Sequence, residues 1–219
     1  IGATGSGADL TPVDVRSNAS GSTFSINGSG SFQLPLLGRH NVLNALCAVA
    51  LARHMGLSDE HIAAGLAKVE PAPLRLELRQ VGPHHVLLDA YNANPDSMIA
   101  ALETLAELAL PAGHKRVAVL GDMLELGAAG AELHQEIGRQ MAKSAAHLFV
   151  AVGPAMAQAA EMAGRLGVRC VHFSDTRAAA DGLPALLDEP ATILIKGSRG
   201  MALERLLAGL ARDAAAVGT

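Results

Sequence analysis

From about residue 75 onward, five short apolar runs recur with helical patterns between them: "HVLLD" (85–89), "RVAVLG" (116–121), "HLFVAVG" (147–153), "RCVHFS" (169–174) and "TILIKG" (192–197). Continuous apolar runs, unlike alternating ones, belong to strands buried on both faces. Such burial calls for a mostly parallel sheet with helices on each side. The first intervening segment is clearly helical in pattern, because Met98, Leu102, Leu105 and Ala109 fall on one face. "LRLELRQV" (74–81) reads either as an antiparallel addition or as the first strand. The expected fold is α/β and Rossmann-like. An open sheet of this kind binds ligands at the carboxyl ends of its strands. Here those ends carry Asp89, Asp122, Ser174 with Asp175, and Lys196 with Ser198.

The chain before residue 75 has a different texture. Residues 1–36 are rich in Ser, Gly, Thr and Asn, with short alternating pieces separated by "NASG" and "NGSG". That pattern predicts antiparallel strands and turns, with a disordered linker as the competing reading. "NVLNALCAVALARHMG" then predicts a nearly all-apolar helix ending at Gly56 as a C′ glycine, and Ser58 is expected to cap a second helix. "EPAPL" (70–74), with two prolines, reads as a hinge or domain boundary. The opening "IGATGSGADL" has no initiating Met and no signal-peptide pattern, which suggests a chain that begins partway through a domain.

Composition narrows the function classes. A formal charge of −4 with no Trp and one Tyr offers neither the basic footprint nor the stacking platforms of a nucleic-acid binder. No apolar run approaches the roughly 20 residues of a membrane span. Cys47 and Cys170 make no disulfide framework or zinc spacing and are expected to be buried free thiols in a reducing compartment. The nine histidines show no metal-binding spacing, and His54, His61, His84 and His85 are expected to be surface or packing residues without a role.

Four stretches carry chemistry. In "DAYNANPDS" (89–97), Asn94 suits an N-cap, Pro95 the first helical position and Asp96 the helix dipole. Those local preferences leave Asp89 and Asn92 unexplained. A carboxylate closing a strand can accept hydrogen bonds from ribose hydroxyls, and Asp96 would repel phosphate, so this loop is expected to hold a sugar, base or amine. In "LLGRHNVLNAL" (36–46), Asn41 is expected to be an N-cap. Asn44, one turn on, can read an adenine edge or bond a neighbouring loop carbonyl. "ILIKGSRGMALERLL" (193–207) resembles an anion cradle in which Lys196, Ser198 and Arg199 converge on a helix start; a solvated basic turn is the alternative. In "VLGDMLELG" (119–127), Asp122 and Glu125 could meet an ammonium or a metal, or face water. No phosphate-binding G-x-x-x-x-G-K-[ST] loop occurs.

Taken together, "GRHNVLNA", "PLRLE", "DAYNANPDSM", "GDMLELG" and "KGSRGMALE" resemble, in this order, the Mur ligases of peptidoglycan synthesis, and among them the members that add D-Ala-D-Ala. The resemblance spans essentially the whole chain. It implies that residues 1–72 are the C-terminal part of a central ATP-binding domain and 73–219 a Rossmann-like C-terminal ligase domain. The implied reaction is ATP-dependent amide synthesis between UDP-MurNAc-tripeptide and D-Ala-D-Ala through an acyl phosphate. The implied protein is a cytoplasmic bacterial monomer, with the phosphate loop and Mg²⁺ ligands upstream of Ile1, so that this chain alone would be inactive. By motif, His40, Asn44, Arg75, Asp89, Tyr91 and Asn92 resemble ATP-pocket residues, and Asn94, Asp122, Lys196, Ser198 and Arg199 resemble substrate-binding ones. Leu74 stands where many relatives have Gly, which puts the hinge geometry in question. The competing expectation is a standalone, non-catalytic nucleotide- or peptide-binding module.

Overall fold

The structure is a computed structural model that describes residues 1–2, 7, 9–109, 111 and 113–217, the last five as backbone. It divides into two compact units, residues 1–72 with 107–109, and residues 73–106 with 110–219.

In the first unit, β1 (Pro12–Asn18), β2 (Gly21–Ile26) and β3 (Ser29–Leu34) form an antiparallel meander. Asn27 and Gly28, at φ 53° and 78°, make the tight turn that an Asn-Gly pair favours between strands. Helices α1 (Arg39–His54) and α2 (Asp59–Leu66) share a core with this sheet, built around Phe24, Phe32, Leu34, Leu46 and Val49. The α1 C-terminus is a Schellman motif: Gly56 sits at φ 84°, its N–H donates to Arg53 O, and Leu57 N–H donates to Ala52 O.

Three local expectations fail here. Gly38, not Asn41, occupies the α1 N-cap, and Asn41 Nδ2 reaches back to Leu37 O. Ser58 holds the α2 N-cap position, but its hydroxyl bonds His61 Nδ1, 2.9 Å away, in place of a backbone N–H. Cys47 is exposed and Cys170 only half-buried, because Cys47 falls on the outer side of α1.

The second unit is a six-stranded sheet in the order β4 (Glu77–Val81), β5 (His84–Asp89), β9 (Ala191–Lys196), β6 (Lys115–Gly121), β7 (Leu148–Val152), β8 (Cys170–Phe173). All neighbours run parallel except β4, which pairs antiparallel with β5 and so resolves the ambiguity of "LRLELRQV". One face packs Val86, Leu88, Val117, Val119, Val150, Val152, Ile193 and Ile195 against α6 (Thr176–Gly182) and α7 (Leu206–Val217). Alternation leaves Leu87, Ala118, Phe149 and Leu194 for the opposite face, covered by α3 (Pro95–Glu107), α4 (Gly130–Lys143) and α5 (Met156–Arg165). Met98, Leu102 and Leu105 are buried as their spacing predicts, whereas Ala109 lies beyond the helix and is exposed. Among the described residues no helix is long and apolar enough to cross a membrane.

At the amino edge of this sheet the rings of His85 and His114 lie 5.1 Å apart. Burial, and then the His85 charge, push the His114 imidazole below its ordinary value of 6.5. The unfolded chain therefore takes up this proton at a higher pH than the folded one. The contribution is intact above about pH 6.5 and is lost as pH falls through the native value. His114→Gln is expected to flatten the acid side of a stability profile measured by urea unfolding at several pH values.

Candidate functional site

Strand register places the carboxyl tips on one rim. Asp89 pairs with Lys196 across β5 and β9, Lys196 with Leu120 across β9 and β6, and Gly121 with Val152 across β6 and β7. Asp89, Asp122 and Lys196 thus share the edge at which open sheets of this kind bind ligands. The chain leaves β9 toward one face and its neighbours β5 and β6 toward the other, so a crevice opens at their tips.

At its centre Lys196 is only 2% exposed. Its Nζ donates to Asp89 Oδ2 at 2.6 Å and to Asn92 O at 2.9 Å, while Asp89 Oδ1 accepts from Leu76 N. The buried ammonium is thus a strut between the β5 and β9 tips. Ser198 and Arg199 are also engaged. Ser198 Oγ accepts from Leu124 N, and Arg199 donates to Glu204 Oε1 at 2.7 Å. Burial works to raise the Glu204 carboxyl, but Arg199, with a backbone hydrogen bond, more than offsets it and holds the group below its ordinary value. The cradle expected at a helix start is absent in that form, since short 3-10 turns (199–201 and 203–205) separate β9 from α7.

Asp122 is engaged in the same way. Its carboxylate is buried, with Oδ1 accepting from Met156 N at 2.7 Å and Oδ2 from Ala155 N at 3.3 Å. It caps the start of α5, and each of its oxygens accepts a backbone hydrogen bond. Glu125, three residues on, is exposed on the crevice wall at φ 65°. Among the described residues no group of three His, Cys, Asp or Glu side chains could hold a metal ion.

Asn94 is the N-cap expected of it: Oδ1 accepts from Ser97 N at 2.8 Å, and Ser97 Oγ accepts from Asn94 N. Asn92 Oδ1 accepts from Ala93 N. The guanidinium of Arg75 lies 3.9 Å from the centroid of the Tyr91 ring, and Leu74 O accepts from Tyr91 N. Leu74 and Leu76, on either side of Arg75, stand at φ 61° and 47°. The absence of a glycine at 74 therefore has a consequence: a branched residue adopts the left-handed conformation there, at a cost of about 1–2 kcal/mol.

Tyr91, Asn92, Leu124, Glu125, Ser198, Arg199 and Gly200 line an open cleft of about 360 Å³ above the strand tips. Five of these were singled out in the sequence; Leu124 and Gly200 were missed because ordinary loop composition hides them. His40 and Asn44 belong to the first unit, one turn apart on α1. Asn44 is exposed and makes no side-chain hydrogen bond among the described residues, so the loop-carbonyl alternative does not hold.

Fold and rim together define an α/β domain of the doubly wound type, with a cleft at the tips of β5, β9 and β6. The family described as "Mur ligase, glutamate ligase domain" matches residues 74–199, more than half of the chain, and the chain belongs to the Mur ligase family. The UDP-N-acetylmuramoyl-tripeptide–D-alanyl-D-alanine ligase of Escherichia coli K12 is 37% identical over 209 residues, 93% of this chain and 44% of that protein. The Bacillus subtilis enzyme of the same name is 34% identical over 94% of this chain and 46% of its own length. Among solved structures, MurF from Acinetobacter baumannii superposes with a TM-score of 0.82 at 34% identity, over 95% of this chain and 46% of that one. MurF from Thermotoga maritima, solved in complex with ADP, shares the fold with a TM-score of 0.78 at 20% identity, covering 97% and 48%. The chain thus spans about half the length of the relatives it matches.

Proposed function

We propose that this chain is the C-terminal half of an ATP-dependent ligase that joins D-Ala-D-Ala to UDP-MurNAc-tripeptide in the bacterial cytoplasm, acting as a monomer. The observation that carries the reading is the similarity to enzymes of that name along more than nine-tenths of the chain. In this reading residues 1–72 are the end of the ATP-binding domain and 73–219 the domain that presents the acceptor. The tripeptide's terminal carboxylate takes the γ-phosphoryl group of ATP, forming an acyl phosphate and ADP. The amine of D-Ala-D-Ala attacks the acyl carbon, the carbon–oxygen bond to phosphate breaks, and the amine proton goes to solvent or the departing phosphate. Magnesium, where the reaction uses it, is held by residues outside this chain.

The proposed contacts follow from the motifs that the chain shares with the Mur ligases. Asn44 and His40 address the adenine, Arg75 the phosphates on release from Tyr91, and Asp89 the ribose from its partly exposed position. Tyr91 and Asn92 form the cleft wall next to the nucleotide, and Asn94 lies at its margin. Ser198 and Arg199 face the dipeptide, whose carboxylate suits a guanidinium. Positioning the amine beside the acyl phosphate favours aminolysis over hydrolysis.

Asn44 provides a clean test, because its exposure separates binding from folding. In the ligase of full relative length, Asn44→Ala is expected to raise the KM for ATP about tenfold, the scale of one lost hydrogen bond pair at about 1–2 kcal/mol, with the melting temperature unchanged. The 219-residue chain alone, given ATP, tripeptide substrate and D-Ala-D-Ala, is expected to form no product. Product formation by that chain would overturn the division of labour proposed here.

A further inference from the structure

The wall of the cleft formed by Leu124 and Glu125 belongs to a loop whose backbone is tied at three successive residues. Asp122 holds the start of α5, as described above, and its own N–H donates to Val152 O at 3.2 Å. Leu124 N donates to Ser198 Oγ at 2.9 Å. Between them, Met123 N donates to His134 Nε2 at 3.1 Å. His134 lies in the first turns of α4, 1% exposed, with its other nitrogen, Nδ1, 2.7 Å from Gly130 O.

These partners fix the chemistry of the ring. A carbonyl oxygen only accepts, so Nδ1 must carry the hydrogen; a backbone N–H only donates, so Nε2 must be bare. The imidazole is therefore neutral in the Nδ1–H tautomer, and any other form sets donor against donor or lone pair against lone pair at one of the two contacts. Both contacts are local to α4 and the β6 tip, which is why spacing-based searches for metal or nucleophile patterns pass over this residue.

We infer that His134 is a positioning residue: by accepting from the Met123 amide it sets the orientation of the Leu124–Glu125 wall and hence the geometry of the acceptor side of the cleft. No substrate touches it. It acts through the loop, and Ser198, itself in the cleft, shares the same loop on the other side. The kinetic consequence rests on the ligase reading given above, whereas the structural consequence does not.

Two measurements test this. In the isotopically labelled 219-residue chain, long-range proton–nitrogen NMR should show His134 as the Nδ1–H tautomer, and the Met123 amide should be protected from hydrogen exchange. His134→Phe keeps a planar aromatic ring and removes both bonds; it should speed Met123 exchange by at least about tenfold. His134→Gln, whose amide offers one donor and one acceptor, should restore most of that protection. In the ligase of full relative length, His134→Phe should raise the KM for D-Ala-D-Ala about tenfold or more while that for ATP moves less than about twofold, since small misplacements of a positioning wall carry penalties of this size. His134→Gln should recover most of the loss. An Nε2–H tautomer or a charged ring in the native chain overturns the inference, as does a folded Phe variant with unchanged Met123 exchange and unchanged D-Ala-D-Ala kinetics. If the Phe variant fails to fold, the tautomer and the Gln variant still decide the matter. If the wild-type ligase does not use D-Ala-D-Ala at all, the ligase reading falls while the exchange result still judges the role of His134.

Discussion

Lys196→Met is expected to lower the free energy of unfolding by about 3 kcal/mol, the low end of what is found when one partner of a buried ion pair is removed. The low end applies because Asp89 keeps 15% side-chain exposure and can draw some water. The loss arises from what remains: a carboxylate facing an apolar methionine, and the Asn92 carbonyl without its donor. Asp89→Asn placed on top of Lys196→Met should recover a large part of the loss, because it removes the uncompensated charge. Urea unfolding followed by far-UV circular dichroism measures both, a choice dictated by a chain with no tryptophan. A Lys196→Met midpoint equal to wild type would show that the strut between β5 and β9 contributes nothing.

Gly153→Ala should be of similar severity for a different reason. Gly153 sits at φ 109°, a conformation closed to side chains, and an added Cβ would lie 2.5 Å from Asp122 Cγ and 2.6 Å from both carboxylate oxygens. That carboxylate cannot swing away without releasing the amides of Ala155 and Met156. Backbone strain together with overpacking predicts a loss of about 2–4 kcal/mol. The two residues should also be coupled: Asp122→Ala alone destabilises by uncapping α5, yet it should relieve part of the clash when combined with Gly153→Ala. Strict additivity of the two changes in a thermal unfolding series would contradict the geometry. At about 4 °C of melting temperature per kcal/mol or less for a chain of this size, either variant should be readily distinguished from wild type.

The sheet itself was legible in the sequence because its signal is redundant. Each of the five parallel strands is an apolar run followed by a helical pattern, and a single misread segment would not change the class of fold. The polar tips were legible for the same reason, since each follows directly from the end of a strand. Their partners were not. Lys196 and Asp89 are 107 residues apart, and only the insertion of β9 between β5 and β6 brings them together. Strand order is not written in local composition, so a lysine that looks free in "ILIKGSR" becomes a buried strut. The capping partners of Asp122 were hidden likewise, because the amides it caps arrive 33 and 34 residues later in the chain.

The failures at helix starts are of another kind. Asn41 and Ser58 are good N-cap residues by local preference, and each finds a competing partner nearby: Leu37 O for one and His61 for the other. Cap preferences are worth about 1 kcal/mol, a margin that a single alternative hydrogen bond can cancel. Asn94 succeeded because Ser97 returns the bond and Pro95 fits the first helical position. Where two or three local preferences agreed, the sequence was a reliable guide; where one stood alone, it was not.

The reversed direction of β4 has a mechanical meaning. A parallel strand in that place would have admitted the chain at the amino edge, on the far side of the sheet from the cleft. Running the other way, it delivers the Pro73–Leu76 joint to the same lip as Asp89 and Tyr91, where Leu74, Arg75 and Leu76 each touch one of them. Any swivel at that joint is felt first by the residues that line the opening, with no lever needed to carry it across the domain.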